Sequence, residues 1–271
     1  MASTFQSDLL CDRVAFLTGG SSGIGLGIAR RFAEYGAKVA LFGRSQQRLD
    51  GALAGLREIG ATAPAGYAGD VRSYEAIQDA LGRARATFGE IDILVCAAAG
   101  NFPAPVLGMS ANGFKAVIDI DLLGTFNTCR AAHEHLRKPG AVILNISANH
   151  AHIPYAMQAH VCAAKSGIDI LSKVLALEWG PAGIRVNCIT PGPIDETEGM
   201  RRLAPTEESR RRVIQAVPLG RMGTKDDIAG LALFLCSDAA SYITGGIYVC
   251  DGGQSLSGAR DLGAAWEAGR R

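Results

Sequence analysis

Short apolar runs recur along this chain, and segments with helical spacing separate them. The runs cover residues 14–17, 38–42, 91–95, 141–144, 184–189 and 247–250. They are apolar almost throughout, which is typical of parallel strands that are covered on both faces. Between the first two runs, Ile24, Ile28 and Phe32 repeat at the spacing of one helical face. Strands that alternate with helices predict βαβ units, so we expect an α/β fold with a doubly wound parallel sheet.

Length and charge limit how many domains the chain can form and which classes of partner it can bind. It has 271 residues, and no Ser/Gly-rich linker, charge run or repeat divides it, so we expect a single domain over residues 1–271. Lysines and arginines number 27 against 26 aspartates and glutamates, which leaves a net charge of +1. A charge this close to neutral argues against nucleic acid or a membrane surface as partner.

The cysteines and the ends of the chain predict a reducing compartment. Seven cysteines are present without any C-x-x-C pair, so neither a disulfide framework nor a thiolate metal site is indicated. The first residues lack the regions of an export signal, no apolar run is long enough to cross a bilayer, and the last residues carry no peroxisomal Ser-Lys-Leu signal. We therefore expect a cytoplasmic protein.

One polar stretch interrupts the alternation of strands and helices. It begins at Asp195, shortly after the run at 184–189, and it is rich in Glu, Arg and Thr. A polar excursion next to the end of a strand is typical of a segment that closes over a bound ligand. We predict a substrate flap at residues 195–215.

A glycine-rich turn follows the first apolar run and opens the first helical segment. In such a turn, backbone N–H groups and the positive end of the helix approach a pyrophosphate without interference from Cβ atoms. A glycine pattern alone is weak, but its position between the first strand and the first helix of a βαβ series predicts a dinucleotide site. The residues assigned to the cofactor here are Gly19, Ser21, Ser22, Gly23, Ile24 and Gly25.

The end of the second run indicates which dinucleotide binds. An NAD site would place an acidic residue there to hold the ribose hydroxyls. This chain has Gly43 followed by Arg44, and a guanidinium suits a 2′-phosphate, so NADPH is favoured over NADH. Arg44 as a solvated surface charge is the alternative. Asp70 and Val71 follow the third strand, which lies before the run at 91–95, and they are predicted to contact the adenine.

The motifs taken together resemble those of the short-chain dehydrogenase/reductase family over essentially the whole chain. They are the turn at 18–25, Asp70-Val71, the Pro-Gly-Pro-Ile sequence at 191–194 and Asp-Gly-Gly at 251–253. The resemblance implies a Rossmann-type single domain, a homotetramer and a Ser–Tyr–Lys catalytic set supported by an asparagine.

Three of those four catalytic residue types are replaced in this chain. Lys165 is present, but Val161 stands four residues earlier, where the family has tyrosine, and Ala148 stands at the serine position. Asp121 occupies the position of the asparagine. Reduction of a simple carbonyl requires proton transfer to the reacting oxygen, which the missing phenol would perform. That reaction is therefore disfavoured on chemical grounds.

Reduction of a conjugated thioester does not need that phenol. Hydride adds at the far end of the conjugated system, charge collects on the thioester oxygen, and carbon is protonated afterwards. The sequence is similar to the 2,4-dienoyl-CoA reductases, the peroxisomal type in particular, through 97–102, 109–115, 119–121, His160 and 178–181. The segments 191–194 and 197–203 extend the similarity. It implies NADPH-dependent reduction of 2,4-dienoyl-CoA to 3-enoyl-CoA in unsaturated fatty-acid degradation, with Asp121 and Lys165 polarising a water that protonates the dienolate.

The same resemblance assigns further contacts. Lys165 is placed on the nicotinamide ribose. The other residues assigned to the cofactor are Ala98, Pro191, Gly192, Ile194 and Thr197. The residues assigned to the acyl-CoA are Phe102, Ser110 and Asn112 at the thioester, and Arg72 and Arg202 at the CoA phosphates.

Several alternatives stay open from the residues alone. The chain could reduce another activated alkene or a carbonyl, with Tyr155 or water replacing the lost phenol, or it could bind NADP(H) without catalysis. Asp121 could be a structural residue that caps or kinks its helix, and Arg201 and Arg202 could be part of a solvated helix face. His150, His152 and His160 lack the register of a zinc site, so no metal is expected.

Overall fold

A parallel β-sheet forms the centre of the computed structural model, which describes residues 5–259. The strands are β1 (Val14–Thr18), β2 (Lys38–Gly43), β3 (Ala65–Ala68), β4 (Ile93–Cys96), β5 (Val142–Ile146), β6 (Arg185–Pro191) and β7 (Ile247–Cys250). They are arranged in the order β3-β2-β1-β4-β5-β6-β7, and every pair is parallel. The predicted doubly wound α/β fold is confirmed.

Helices cover both faces of this sheet. They are α1 (Gly23–Glu34), α2 (Gln46–Glu58), α3 (Tyr74–Phe88), α4 (Ala111–Val117), α5 (Gly124–Ala132), α6 (Ala159–Trp179), α7 (Glu198–Leu203), α8 (Glu207–Gln215) and α9 (Lys225–Cys236). Neighbouring residues of one strand face opposite layers. In β1, Leu17 packs against α1 and α9, whereas Phe16 packs in the layer that includes α3 and α5. No helix within residues 5–259 has the length and apolarity to span a bilayer.

One strand, β3, lacks the continuous apolar run that predicted the others. β3 has the sequence Ala-Gly-Tyr-Ala and is only partly buried, because it lies at one edge of the sheet. An edge strand needs fewer apolar side chains than a central one.

The order of the strands determines where a ligand can bind. The chain turns from β1 toward β2 on one side and from β4 toward β5 on the other, so a crevice opens between the carboxyl ends of β1 and β4. Thr18 pairs with Cys96 and Cys96 with Asn145, which aligns the loops that follow β1, β4 and β5 at one edge. The glycine-rich turn follows β1, and the loop with Ala98 and Phe102 follows β4.

Caps explain where most of the helices begin. The side chains of six N-cap residues each accept a hydrogen bond from a backbone N–H of the first turn of their helix: Ser45, Ser73, Ser110, Thr197, Thr206 and Thr224. α1 is different: Ser22 precedes it without a side-chain capping bond, and the first turn holds no acidic residue. The first N–H groups of α1 are therefore available to an anion.

Candidate active site

The glycine-rich turn packs its backbone against the loop that follows β4. Gly19 has a φ of +67°, and a Cβ atom on it would lie 2.6 Å from the backbone carbon of Ala97. A Cβ atom on Gly25 would lie 2.5 Å from the carbonyl oxygen of Gly19. Neither position accepts a side chain without a backbone shift. The turn therefore presents bare backbone at the N-terminus of α1, and this arrangement fits a pyrophosphate.

The start of the predicted flap lies over this turn. Thr197 caps α7, its hydroxyl accepts from the N–H of Met200, and its methyl lies 4.0 Å from the position of a Cβ on Gly23. A cavity of about 460 Å³ opens beside the turn and is lined in part by Arg30, Arg48 and Arg201. Glu198 also lines the cavity and pairs with Arg201 at 3.1 Å, so the added positive potential next to the proposed phosphate site comes mainly from Arg30 and Arg48, which no sequence motif identified.

Asp70 and Arg72 meet in one ion pair, although sequence reasoning assigned them to different ligands. The guanidinium of Arg72 donates to both carboxylate oxygens of Asp70, at 3.0 and 2.7 Å. These bonds lower the pKa of Asp70, and the charge of Arg44 acts in the same direction. Arg44 and Arg72 therefore both lie near the predicted adenine end, and a CoA phosphate would have to share Arg72 with Asp70.

Val71 is held in place by a residue that the sequence analysis did not identify. The side-chain amide of Asn127 donates to the carbonyl of Val71 at 3.1 Å. A Cβ atom built on Gly124 would lie 2.6 Å from Cγ2 of Val71, so Val71 packs directly against the start of α5. Both interactions tie the loop after β3 to α5. Asn127 carries no motif in the sequence, because its role depends on the pairing of two distant segments.

The loop after β6 reaches the opposite end of the crevice. A Cβ on Gly192 would lie 2.6 Å from Cα of Asp251, so Pro191 and Gly192 run against the closing Asp-Gly-Gly turn. Ile194 is buried, and its carbonyl accepts from the hydroxyl of Thr197 at 2.8 Å. Ala98 lies on the other side of the crevice, where its N–H is 2.7 Å from a Cβ built on Gly19.

Asp121 and Lys165 form a buried ion pair. Their side chains are 1% and 8% exposed, and Nζ of Lys165 lies 3.3 Å from Oδ2 of Asp121. Lys165 also donates to the carbonyl of Ile146 at 3.0 Å, and the N–H of Gly100 donates to Oδ1 of Asp121 at 2.7 Å. The loop after β4 and the end of β5 thus fix the two charged groups against each other.

The position of Asp121 results from a local widening of its helix. Residues Ile118–Leu123 form a π-helical segment between α4 and α5, a rare conformation that is frequent at functional sites. The carboxylate of Asp121 bonds to Gly100 and faces Lys165, so it does not cap its own helix. Its Oδ2 atom is buried and makes no well-directed hydrogen bond, which leaves room in its coordination for a water or a polar ligand atom.

The usual phenol position is filled by an aliphatic side chain. Val161 is buried, and it packs in a small apolar cluster whose members include Val117, Ala164 and Phe102. Tyr155, the phenol nearest in sequence, stacks on His150 with ring centroids 4.2 Å apart. Burial raises the pKa of Tyr155 and lowers that of His150 to about 4, so His150 is neutral and Tyr155 is a weaker acid than free tyrosine.

The predicted acyl-CoA residues lie around the start of α4 and the flap. The ring of Phe102 lies close to Gly113, in the first turn of α4. Ser110 caps this helix through a bond from the N–H of Gly113 at 3.0 Å, and Asn112 is exposed in the first turn. Arg202 donates to the carbonyl of Asn101 at 3.1 Å.

The side chain of Arg202 is 55% exposed, but its contacts extend beyond its own helix. It also pairs with Glu198 at 3.0 Å, so it connects α7 of the flap to the loop after β4. The histidines near the site are separated: His152 pairs with Asp169 at 3.0 Å and His150 stacks on Tyr155. Within the described part of the chain, no three His, Cys, Asp or Glu side chains are grouped so that they could hold a metal ion.

The fold and this site define a nucleotide-binding oxidoreductase. The chain matches the family described as enoyl-(acyl carrier protein) reductase over residues 19–255. A peroxisomal 2,4-dienoyl-CoA reductase, (3E)-enoyl-CoA-producing, from Arabidopsis thaliana is 44% identical over 97% of this chain and 91% of that protein. A Bacillus subtilis protein named "Probable 2,4-dienoyl-CoA reductase [(2E)-enoyl-CoA-producing]" is 42% identical over 90% of this chain and 97% of that protein.

A solved structure shows the same architecture. A short chain dehydrogenase from Bacillus anthracis is 41% identical and superimposes with a TM-score of 0.80 over 90% of this chain and 96% of that chain. The chain belongs to the short-chain dehydrogenase/reductase family, as the motifs predicted, and its cofactor is a nicotinamide dinucleotide.

Proposed function

We propose that the protein reduces 2,4-dienoyl-CoA to 3-enoyl-CoA with NADPH, as a step in the degradation of unsaturated fatty acids. The observation that carries this proposal is the buried pair of Asp121 and Lys165 beside a valine at the phenol position. Both groups suit the protonation of carbon through water, and neither replaces a phenol that protonates a carbonyl oxygen. The two similar proteins named as dienoyl-CoA reductases support the same substrate class.

Bound NADPH would supply the hydride. The distal carbon of the diene accepts it, the two π bonds shift toward the thioester, and the electron pair collects on the thioester oxygen. A water then gives a proton to the carbon next to the thioester, which leaves the remaining double bond at position 3. The resulting hydroxide is neutralised by a proton from solvent, so hydride and proton together complete the reduction.

The two charged residues have separate tasks in this step. Lys165 is anchored by the carbonyl of Ile146 and keeps a positive charge near the nicotinamide ribose and the developing dienolate. Asp121 is anchored by Gly100 and has a free lone pair on Oδ2 that can hold the water by accepting one of its hydrogens. Because both groups are buried and fixed, the water is positioned before the reaction begins.

The flap at residues 195–215 belongs to the same proposal. It contains α7 and α8, and Asp195 and Arg210 join its two ends through bonds of 2.8 and 2.9 Å. Arg202 ties it to the loop that carries Phe102. The flap would close over the cofactor and the acyl-CoA, with the thioester near Phe102, Ser110 and Asn112. The phosphates of CoA would then lie near Arg202, with Arg72 shared between CoA and Asp70.

Assembly and location complete the proposal. Along α6, the side chains of Ile170, Val174 and Leu177 are exposed at helical spacing, and Phe126 of α5 is exposed as well. A continuous apolar stripe of this kind suits a helix-to-helix contact between subunits, and it supports the homotetramer that the family resemblance implies. The cytoplasm remains the predicted location.

The coenzyme preference is tested by a charge reversal at Arg44. Arg44 is exposed directly after β2 and close enough to lower the pKa of Asp70. Because a carboxylate repels the 2′-phosphate, we expect Arg44→Asp to lower kcat/KM for NADPH at least 50-fold, equivalent to about 2 kcal/mol, and to change the value for NADH far less. Steady-state kinetics with both coenzymes measure this. Arg57→Asp, on the exposed last turn of α2, is the matched control and should not alter the ratio.

The activity itself is tested with 2,4-hexadienoyl-CoA. We expect loss of NADPH absorbance that requires the dienoyl-CoA, and a product that NMR identifies as the 3-enoyl thioester. A 2-enoyl product would still identify dienoyl-CoA as the substrate, but it would show that the proton is added at the γ carbon. Turnover of simple ketones without dienoyl-CoA activity would refute the proposal in favour of a carbonyl reductase, and NADPH binding without any turnover would favour a non-catalytic protein.

A further inference from the structure

His160 is a completely buried histidine with two unused ring nitrogens. It is the second residue of α6 and directly precedes Val161. Its exposed fraction is 0%, and neither Nδ1 nor Nε2 has a hydrogen-bond partner. An imidazole always carries at least one N–H donor, so burial without partners costs about 1–3 kcal/mol per polar group. A side chain retained only for packing would avoid this cost.

Other unpaired polar atoms occur in the same two chain segments. The ring of His160 packs edge-to-face against Phe102, with centroids 4.5 Å apart. The preceding residue of that loop, Asn101, has an unpaired Oδ1, and Gln158, just before α6, has an unpaired Oε1 and Nε2. The two segments are joined by the bond from the N–H of Ala104 to the carbonyl of Met157, at 3.0 Å. Buried polar atoms in proteins are usually bonded, so this concentration indicates a place for a polar ligand atom.

The proposed reaction needs one group that the Asp121–Lys165 pair does not supply. Negative charge collects on the thioester oxygen while the added proton arrives at carbon, and an oxyanion of this kind requires a fixed hydrogen-bond donor. Phe102 belongs to the same apolar cluster as Val161, so His160 adjoins the position at which the reacting part of the substrate would lie.

We infer that His160 is a catalytic residue that donates a hydrogen bond to the thioester oxygen of the bound acyl-CoA. This inference rests on the proposed function. As hydride adds to the distal carbon and the electron pair moves to the thioester oxygen, the imidazole N–H hydrogen-bonds to that oxygen and keeps its proton. The proton that completes the reaction comes from the water held by Asp121 and Lys165, so His160 undergoes no net change.

Replacement by phenylalanine separates this role from packing. His160→Phe keeps a ring against Phe102 but has no donor. We expect kcat for 2,4-hexadienoyl-CoA to fall about 100- to 1000-fold, with a smaller change in KM and unchanged NADPH affinity. The melting temperature should equal or exceed that of the wild type, because two unpaired polar atoms are removed. His160→Gln retains an N–H group and should keep at least ten times the kcat of the phenylalanine variant.

A matched control is available at the far end of α5. His133→Phe makes the same chemical change where the ring packs on Trp179, outside the site, and should leave kcat unchanged. If the phenylalanine and glutamine variants of His160 both retain wild-type kcat, or both lose it equally while remaining folded, the inference is overturned. If the wild-type protein itself does not reduce dienoyl-CoA, the proposed function has failed instead, so the two failures are distinguishable.

Discussion

Asp121→Asn is expected to lower kcat for dienoyl-CoA reduction by about 100- to 10,000-fold, the range typical for loss of a positioned acid or base. Asparagine has nearly the same shape and keeps an oxygen that accepts from the N–H of Gly100. It removes the negative charge that faces Lys165 at 3.3 Å and that orients the proposed water. Steady-state kinetics with NADPH and 2,4-hexadienoyl-CoA measure the loss.

Stability must be followed in the same experiment. Removal of one partner leaves the ammonium of Lys165 buried without its counter-charge, and such a change destabilises proteins by about 3–5 kcal/mol. The kinetics are therefore measured well below the melting temperature of the variant, with NADPH binding as a check of folding. Lys165 keeps its bond to the carbonyl of Ile146, so we expect the variant to fold.

Asp119→Asn is the matched control for this prediction. Asp119 lies in the same π-helical segment, but its side chain pairs with the exposed Lys115. The Lys115 side chain is 68% exposed and that of Asp119 21%, and pairs that solvent reaches contribute about 1 kcal/mol or less, so kcat should stay within twofold of the wild type. An Asp121→Asn variant that is folded and fully active would show that the carboxylate is structural and that another group orders the proton donor.

Gly25→Ala is expected to produce the second large effect, on cofactor binding. A methyl group at this position would lie 2.5 Å from the carbonyl oxygen of Gly19 and 3.3 Å from Cβ of Ala97. The turn and the start of α1 must separate to accommodate it, and overpacking of this kind costs about 1–3 kcal/mol. The backbone N–H groups would then no longer converge on the pyrophosphate, so we expect NADPH affinity to fall at least tenfold.

Gly82→Ala is the corresponding control. Gly82 lies inside α3, away from the cavity beside the turn, and a Cβ atom there would meet no atom within 4 Å. Alanine favours a helix interior over glycine, so this variant should be as stable as the wild type or more stable, by up to about 1 kcal/mol. Fluorescence titration with NADPH and thermal denaturation of both variants give the comparison. Unchanged NADPH affinity in a folded Gly25→Ala variant would show that the cofactor does not depend on this turn.

Local patterns of residues were sufficient to predict the architecture. A buried parallel strand requires continuous apolar residues, and a strand-to-helix turn that approaches phosphate requires glycine, so both leave a trace in a few consecutive positions. The absence of the phenol was also visible in the sequence. The family has a tyrosine four residues before the lysine on the same helix, and this chain has Val161 four residues before Lys165. β3 was the exception, since its position at the edge removes the apolar requirement.

The resemblance paired Asp121 with Lys165, but the tertiary structure decided how the side chains of the site contact one another. Asp121 and Lys165 are distant in the sequence and meet only because the π-helical segment and α6 both pack at the carboxyl ends of β4 and β5. The resemblance assigned Arg72 to the phosphates of CoA, and in the structure its guanidinium pairs with the carboxylate of Asp70. The unpaired ring of His160 depends on every atom around it, and no short pattern of residues contains that information. Local sequence therefore determines the elements and the type of cofactor site, whereas pairings between distant side chains follow from how the loops pack.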